Sequence, residues 1–207
     1  MIITATPLLT EPFSGLDIIL ASASPRRREL MEMAGIPFRV VVRPVDEAMP
    51  ANLGPIDVVK HLCREKAKMF SQELRQANTV VITADTIVVC DRQIMNKPAD
   101  AEEAFLMLTR LSGRWHDVHT GVCLRMHHKA ATITDTTRVH FRKLSEAEIT
   151  HYVDHYKPFD KAGAYGIQEW IGFIGIDRIE GSYANVVGLP VHRVYAELLR
   201  LTQNHKP

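Results

Sequence analysis

Twelve consecutive residues constrain this chain more than any other stretch. The run Thr79-Val80-Val81-Ile82-Thr83-Ala84-Asp85-Thr86-Ile87-Val88-Val89-Cys90 is nearly all β-branched or small, as in a buried strand. Asp85 interrupts it. A carboxylate there must be paired, metal-bound or at a polar opening, because burying it alone is very costly. A kink that exposes it, or hydrogen bonds from the backbone, would be purely structural solutions.

A second stretch, Ile18-Ile19-Leu20-Ala21-Ser22-Ala23-Ser24-Pro25-Arg26-Arg27-Arg28-Glu29-Leu30, runs from a strand through small residues into a helix. Ser24 suits the N-cap and Pro25 the first turn; Leu30, Met31 and Ala34 share a face, and Gly35 is a stop. Free backbone donors and the helix dipole favour an anion at this end. Three arginines sit where the dipole disfavours them, a conflict that a polyanion would resolve. An ordinary capped helix with solvated arginines reads the same way. Residues 56–74 form the clearest helical pattern, with Ile56, Val59, Cys63, Ala67, Phe70 and Leu74 in one stripe. Lys66 falls on that stripe, so it either snorkels to the edge of the core or delivers its ammonium into a polar site.

The remaining segments place the other chemistry. Phe38 to Val42 reads as a strand, followed by a loop bracketed by Pro44 and Pro50 that carries Asp46 and Glu47. Glu47 matters only if another acid converges on it. A turn at Asp91-Arg92 predicts a hairpin ending at Asn96-Lys97-Pro98, with Lys97 either solvated or a cation near Asp85. Asp100 and Glu103 open a helix that runs to Gly113. Alternation from Trp115 to Leu144 predicts a long antiparallel hairpin. His116 and His119 lie on opposite faces of it, which disfavours a metal site. Ser145 and Glu148 form a capping box for a helix to about His155. The loop through Asp160-Lys161-Ala162-Gly163-Ala164-Tyr165-Gly166-Ile167-Gln168 can shape a pocket, and the Gln168 amide both donates and accepts, as a reader of a base edge must. Phe173 to Ile179 predicts one more strand, before a last helix with Val191, Val194, Tyr195, Leu198 and Leu201 in its stripe.

Composition narrows the function classes. A chain of 207 residues suits one domain with a substantial core, written as a short extension over 1–15 and a single domain over 16–207. A net charge of +1 argues against nucleic acid as a partner, while leaving room for a small basic pocket. No apolar run is long enough to cross a membrane, and the first residues lack a signal-peptide pattern. Cys63, Cys90 and Cys123 have no metal-type spacing and read as reduced thiols of a cytoplasmic protein.

With these pieces in order, the chain resembles the Maf family of nucleoside triphosphate pyrophosphatases. The matching blocks are Ser22-Ala23-Ser24-Pro25-Arg26-Arg27, Arg64-Glu65-Lys66-Ala67, Thr83-Ala84-Asp85-Thr86, Lys97-Pro98, Asp160-Lys161-Ala162-Gly163, Gly181-Ser182-Tyr183 and Val187-Gly188-Leu189-Pro190. Ala164-Tyr165-Gly166-Ile167-Gln168 is similar to the subgroup that acts on dTTP and UTP. Glu169-Trp170 falls outside the likeness, since many relatives carry small residues there.

The resemblance implies an α/β fold: a long, bent, mixed sheet flanked by helices in two lobes with a central cleft, similar to the inosine triphosphate pyrophosphatases. It implies attack of water at the α-phosphorus, releasing the monophosphate and pyrophosphate. Asp85 is then the proton acceptor; Ser24, Arg26, Lys66 and Lys97 cradle the phosphates; Arg26, Thr86 and Gln168 discriminate substrates. Glu47 and Asp85 hold a divalent cation, Mg²⁺ or Mn²⁺. An aspartate alone is a weak base for water, which leaves two roles open for Asp85: taking the proton, or holding metal and water. The expected partners are the nucleotide and a second copy of the chain, with no membrane. Two other functions use the same residues: a house-cleaning pyrophosphatase for modified nucleotides, and a nucleotide-binding regulator of septum formation, which would not need the two acids.

Overall fold

The computed structural model describes residues 11–45, 50 and 52–203. Its sheet has seven strands: β1 (Asp17–Leu20), β2 (Arg39–Val40), β3 (Thr79–Cys90), β4 (Gln93–Met95), β5 (Trp115–Met126), β6 (Lys129–Phe141) and β7 (Ile176–Glu180). The order is β2-β1-β3-β5-β6-β7, with β4 paired to β3. The sheet is mixed, because β1 runs parallel to β2 and β3, whereas β4 and β7 are antiparallel to their partners. Among the described residues seven α-helices accompany it: α1 (Pro25–Met33), α2 (Pro55–Lys68), α3 (Ala101–Leu111), α4 (Glu146–Tyr156), α5 (Trp170–Gly175), α6 (Tyr183–Val187) and α7 (Val191–Gln203). Among the described residues no helix is long and apolar enough to cross a membrane. The described residues divide into two compact units, one drawn from 11–85, 121–134 and 188–203, the other from 86–120 and 135–187.

In the first unit, Ile19 of β1 and Val81 of β3 pack with Phe70 and Leu74. Both aromatic and leucine lie beyond the end of α2, which stops at Lys68; a separate 3₁₀ turn covers Glu73–Arg75. The expected helix over 56–74 is therefore shorter, and its buried face is Val58, Val59, Leu62, Cys63 and Ala67, with Ile56 exposed. Phe13, within the segment read as an extension, is buried and meets Tyr195 of α7 edge to face at 5.3 Å. The expected strand over 38–42 shrinks to two residues. All three cysteines are free and buried, and burial together with nearby Cys123 pushes the Cys63 thiol up to about 12.

In the second unit, the turn after β3 places Asp91 and Arg92 at φ 49° and 64°, the paired left-handed geometry that suits a two-residue hairpin. Asp100 caps α3, and the Ser145–Glu148 capping box closes the start of α4. Phe173 to Gly175 belong to α5 rather than to a strand, and β7 begins only at Ile176. A short apolar run is compatible with either state, and packing decides.

His116 sits in this core at 3% exposure, stacked on Phe141, with Nε2 2.8 Å from the Tyr165 hydroxyl. Burial chiefly, and His140 after it, lowers its pKa from 6.5 to about 3. Because the folded value lies below the unfolded one, the stability it contributes is complete above pH 6.5 and declines as pH falls toward 3. Unfolding in urea is expected to show a loss of about 2 kcal/mol between pH 7 and pH 5. His119, also lowered by burial, adds to the trend. His116→Gln should flatten most of this dependence; an unchanged slope would assign it elsewhere.

Candidate active site

Within the buried run of β3 only Asp85 and Thr86 are partly open to solvent. The Asp85 carboxylate is met by Lys66, with Nζ 3.2 Å from Oδ2 and each side chain 15% exposed. Lys66 thus brings its ammonium to the acid rather than to the edge of the core. Two periodicities arrange this. Thr83 and Asp85 share one face of the strand, while Cys63 and Lys66 share one face of α2. The buried Thr83 hydroxyl donates to the Cys63 carbonyl at 2.6 Å, so strand and helix are joined at two adjacent points.

The start of α1 is built as the sequence predicts. Ser24 is the N-cap, its Oγ accepting from the Arg27 amide at 3.4 Å, and Pro25 opens the helix. The three arginines separate here. Arg28 is exposed, whereas Arg26 and Arg27 are half-buried. Arg27 Nε donates to the Gly188 carbonyl at 2.9 Å, and its terminal nitrogen donates to Ala84 O at 2.9 Å and Ser22 Oγ at 3.3 Å. The alternative of solvated arginines does not hold for Arg27: its guanidinium ties the start of α1 to the residue before Asp85. Gly188, at φ 125°, holds a backbone geometry that L side chains rarely adopt, and its carbonyl meets Arg27 there.

The second unit carries the other expected residues. The Thr86 and Thr120 hydroxyls are 2.9 Å apart, and Thr120 donates to the Asn185 carbonyl at 3.3 Å. Asn185 is fully buried and donates to Val118 O and Thr137 Oγ1, both at 3.0 Å. Lys97 is exposed, just beyond the Asn96 carbonyl that accepts from Gly163 N at 3.1 Å. Gln168 is half-buried, and its Oε1 is buried without a hydrogen-bond partner among the described residues.

Glu47 lies outside the described residues. Among those described, no three His, Cys, Asp or Glu gather to hold a metal. Asp85 is an oxygen donor, the type a hard cation takes. Mg²⁺ and Mn²⁺ commonly use one or two carboxylates and fill the remaining positions with water and phosphate oxygens.

In the first unit a capped helix start accompanies a lysine facing an acid in a buried strand, and in the second a buried amide oxygen has no partner among the described residues. Residues 17–201 match the family described as "Maf-like protein". This chain belongs to the Maf family. Among similar Maf proteins, one named dTTP/UTP pyrophosphatase from Flavobacterium psychrophilum is 45% identical, covering 94% of this chain and 100% of that one. Another of that name, from Bacteroides thetaiotaomicron, is 48% identical over 89% and 95% of the two chains. A solved structure, that of the Staphylococcus aureus Ham1 protein, aligns with a TM-score of 0.44 and 11% identity over 60% of this chain and 71% of that one.

The structure thus brings Ser24, Arg26, Lys66 and Asp85 into one unit of this Maf protein, and Thr86, Lys97 and Gln168 into the other. Two residues with structural consequences for the site were missed in the sequence: Arg27 stood only as one of three arginines, and Asn185 was not singled out. Asn185 carried a local cue, as a polar residue beside Val186 and Val187; Arg27 had none that set it apart from its neighbours.

Proposed function

We propose that this protein hydrolyses nucleoside triphosphates, dTTP and UTP foremost, to the monophosphate and pyrophosphate. The observation that carries the reading is the Asp85–Lys66 pair at the one opening in β3. The names of the relatives favour the same reaction.

In this mechanism, the positive end of the α1 dipole and the Arg26 guanidinium attract phosphate oxygens, with Lys66 and Lys97 adding positive charge. Neutralising the triphosphate is most of the catalytic task, because it lets an electron-rich oxygen approach phosphorus. Asp85 holds the attacking water and accepts its proton as the new bond to the α-phosphorus forms. The bond from that phosphorus to the bridging oxygen breaks, and pyrophosphate leaves. Asp85 and Glu47 would hold a divalent cation, which supplies charge neutralisation and a more acidic water. Lys66 keeps the carboxylate oriented toward the reacting oxygen.

The direct test is to incubate the purified protein with Mg²⁺ and a panel of triphosphates and to identify the product. Pyrophosphate is expected; inorganic phosphate would overturn the reading. Gln168, with an amide oxygen that meets no donor among the described residues, is the proposed reader of the pyrimidine edge. Gln168→Ala is expected to narrow the preference for UTP over GTP by about tenfold or more in kcat/KM. An unchanged ratio would remove Gln168 from base recognition.

A further inference from the structure

Gln168 is followed by a carboxylate that the protein engages from two sides. Glu169 Oε2 accepts a hydrogen bond from the Tyr152 hydroxyl, and Oε1 lies 3.1 Å from Lys161 Nζ. The Tyr152 hydroxyl in turn accepts from the Gly166 amide at 3.0 Å, while the Glu169 amide donates to the Gly166 carbonyl at 3.0 Å. Residues 166–169 are therefore closed into a turn whose first residue is held at both its amide and its carbonyl. A Cβ at Gly166 would stand 2.8 Å from Glu169 Cδ, so the carboxylate packs directly on the turn and would have to shift for any larger residue there. The Glu169 carbonyl then receives the Gly172 amide at 2.9 Å, which joins the turn to α5.

Lys161 is the one buried lysine among the described residues, at 8% exposure, and its other partner is Asp160 at 2.7 Å. A buried ammonium is kept charged only where anions meet it, so Lys161 and Glu169 depend on each other. Gln168, inside the closed turn, keeps its buried amide oxygen unpartnered. A buried acceptor left unmatched costs stability, and a fixed turn is what maintains it for a ligand donor.

We propose that Glu169 is a positioning residue for base selection, holding Tyr152 and Lys161 against the 166–169 turn and so fixing the direction in which the Gln168 amide meets the nucleotide base. This rests on the reading of Gln168 as the base reader. The carboxylate suits the task because its two oxygens serve two donors at once and its charge answers the buried ammonium. Glutamine at this position keeps the shape and one acceptor but not the charge.

The test compares wild type, Glu169→Gln and Tyr152→Phe, measuring kcat and KM for UTP, dTTP, CTP and GTP. Each variant is expected to lose about tenfold in the UTP-to-GTP ratio of kcat/KM, carried by KM for UTP, with kcat within about twofold of wild type. Tyr152→Phe removes a single oxygen and retains the ring, so it serves if Glu169→Gln does not fold. The double variant Gln168→Ala/Glu169→Gln is expected to lose no more selectivity than Gln168→Ala alone, since Glu169 acts through Gln168. An equal loss for all four nucleotides would make Glu169 a fold anchor only and overturn the proposal. A wild-type enzyme without UTP preference would overturn the underlying reading as well. A preference that survives intact in the variants would overturn the positioning role alone.

Discussion

Asp85→Asn is expected to lower kcat by about 10³-fold while nucleotide binding stays within a few-fold of wild type. Asparagine is almost the same shape and still offers an oxygen to Lys66, which lies 3.2 Å from the carboxylate in the native protein. What it lacks is the negative charge and the capacity to take a proton from water. The side chains of the pair are 15% exposed, so the ammonium left behind retains some contact with solvent, and the stability change should be small beside the catalytic one. Steady-state release of pyrophosphate, with equilibrium binding of uncleaved UTP, separates the two effects. Full activity in the variant would remove Asp85 from the reaction.

Arg27→Lys is expected to destabilise the protein by about 2–3 kcal/mol and to depress kcat/KM by about tenfold, although the charge is unchanged. One guanidinium satisfies the Gly188 and Ala84 carbonyls, at 2.9 Å each, together with the Ser22 hydroxyl. An ammonium is a point donor and cannot span these acceptors. The catalytic loss follows because Ala84 immediately precedes Asp85, so releasing its carbonyl loosens the backbone that aims the acid. Thermal unfolding of wild type, Arg27→Lys and Arg28→Lys provides the comparison. Arg28 is exposed and should tolerate the change. Equal melting temperatures for all three would show that the Arg27 contacts contribute little.

These arginines also mark where sequence reasoning stops. Asp85 was legible because an acid in a β-branched run is a local contradiction, and Lys66 because a cation on an apolar stripe is another. Arg26, Arg27 and Arg28 are chemically identical neighbours in one helical turn, and only the fold distinguishes them, since the Gly188 partner of Arg27 lies 161 residues away. The short apolar run at Phe173 failed for a related reason: it lies in α5, whose Ile171 and Ile174 pack into the core of the second unit, and such packing is not written in the run itself. Phe70 and Leu74 extended the predicted helix because their burial kept the helical spacing after the helix itself had ended at Lys68. The long strands β3, β5 and β6 and the helices capped by Ser24, Asp100 and Ser145 were readable, because their signals are local. The Glu169 network was not, because it gathers Tyr152, Lys161 and Gly166 through tertiary packing.

The double tie between β3 and α2 has a consequence for how this sequence can change over time. Its contacts fall two residues apart on the strand and three apart on the helix: Thr83 with Asp85, and Cys63 with Lys66. Inserting or deleting one residue within either stretch shifts the strand face by a half-turn or rotates the helix face by about 100°, which separates the acid from its lysine. Point substitutions around the pair leave this spacing intact. The steps from Cys63 to Lys66 on the helix and from Thr83 to Asp85 on the strand are thus closed to length variation, and diversification of such a site is confined to residue identity and to the connections outside these two steps.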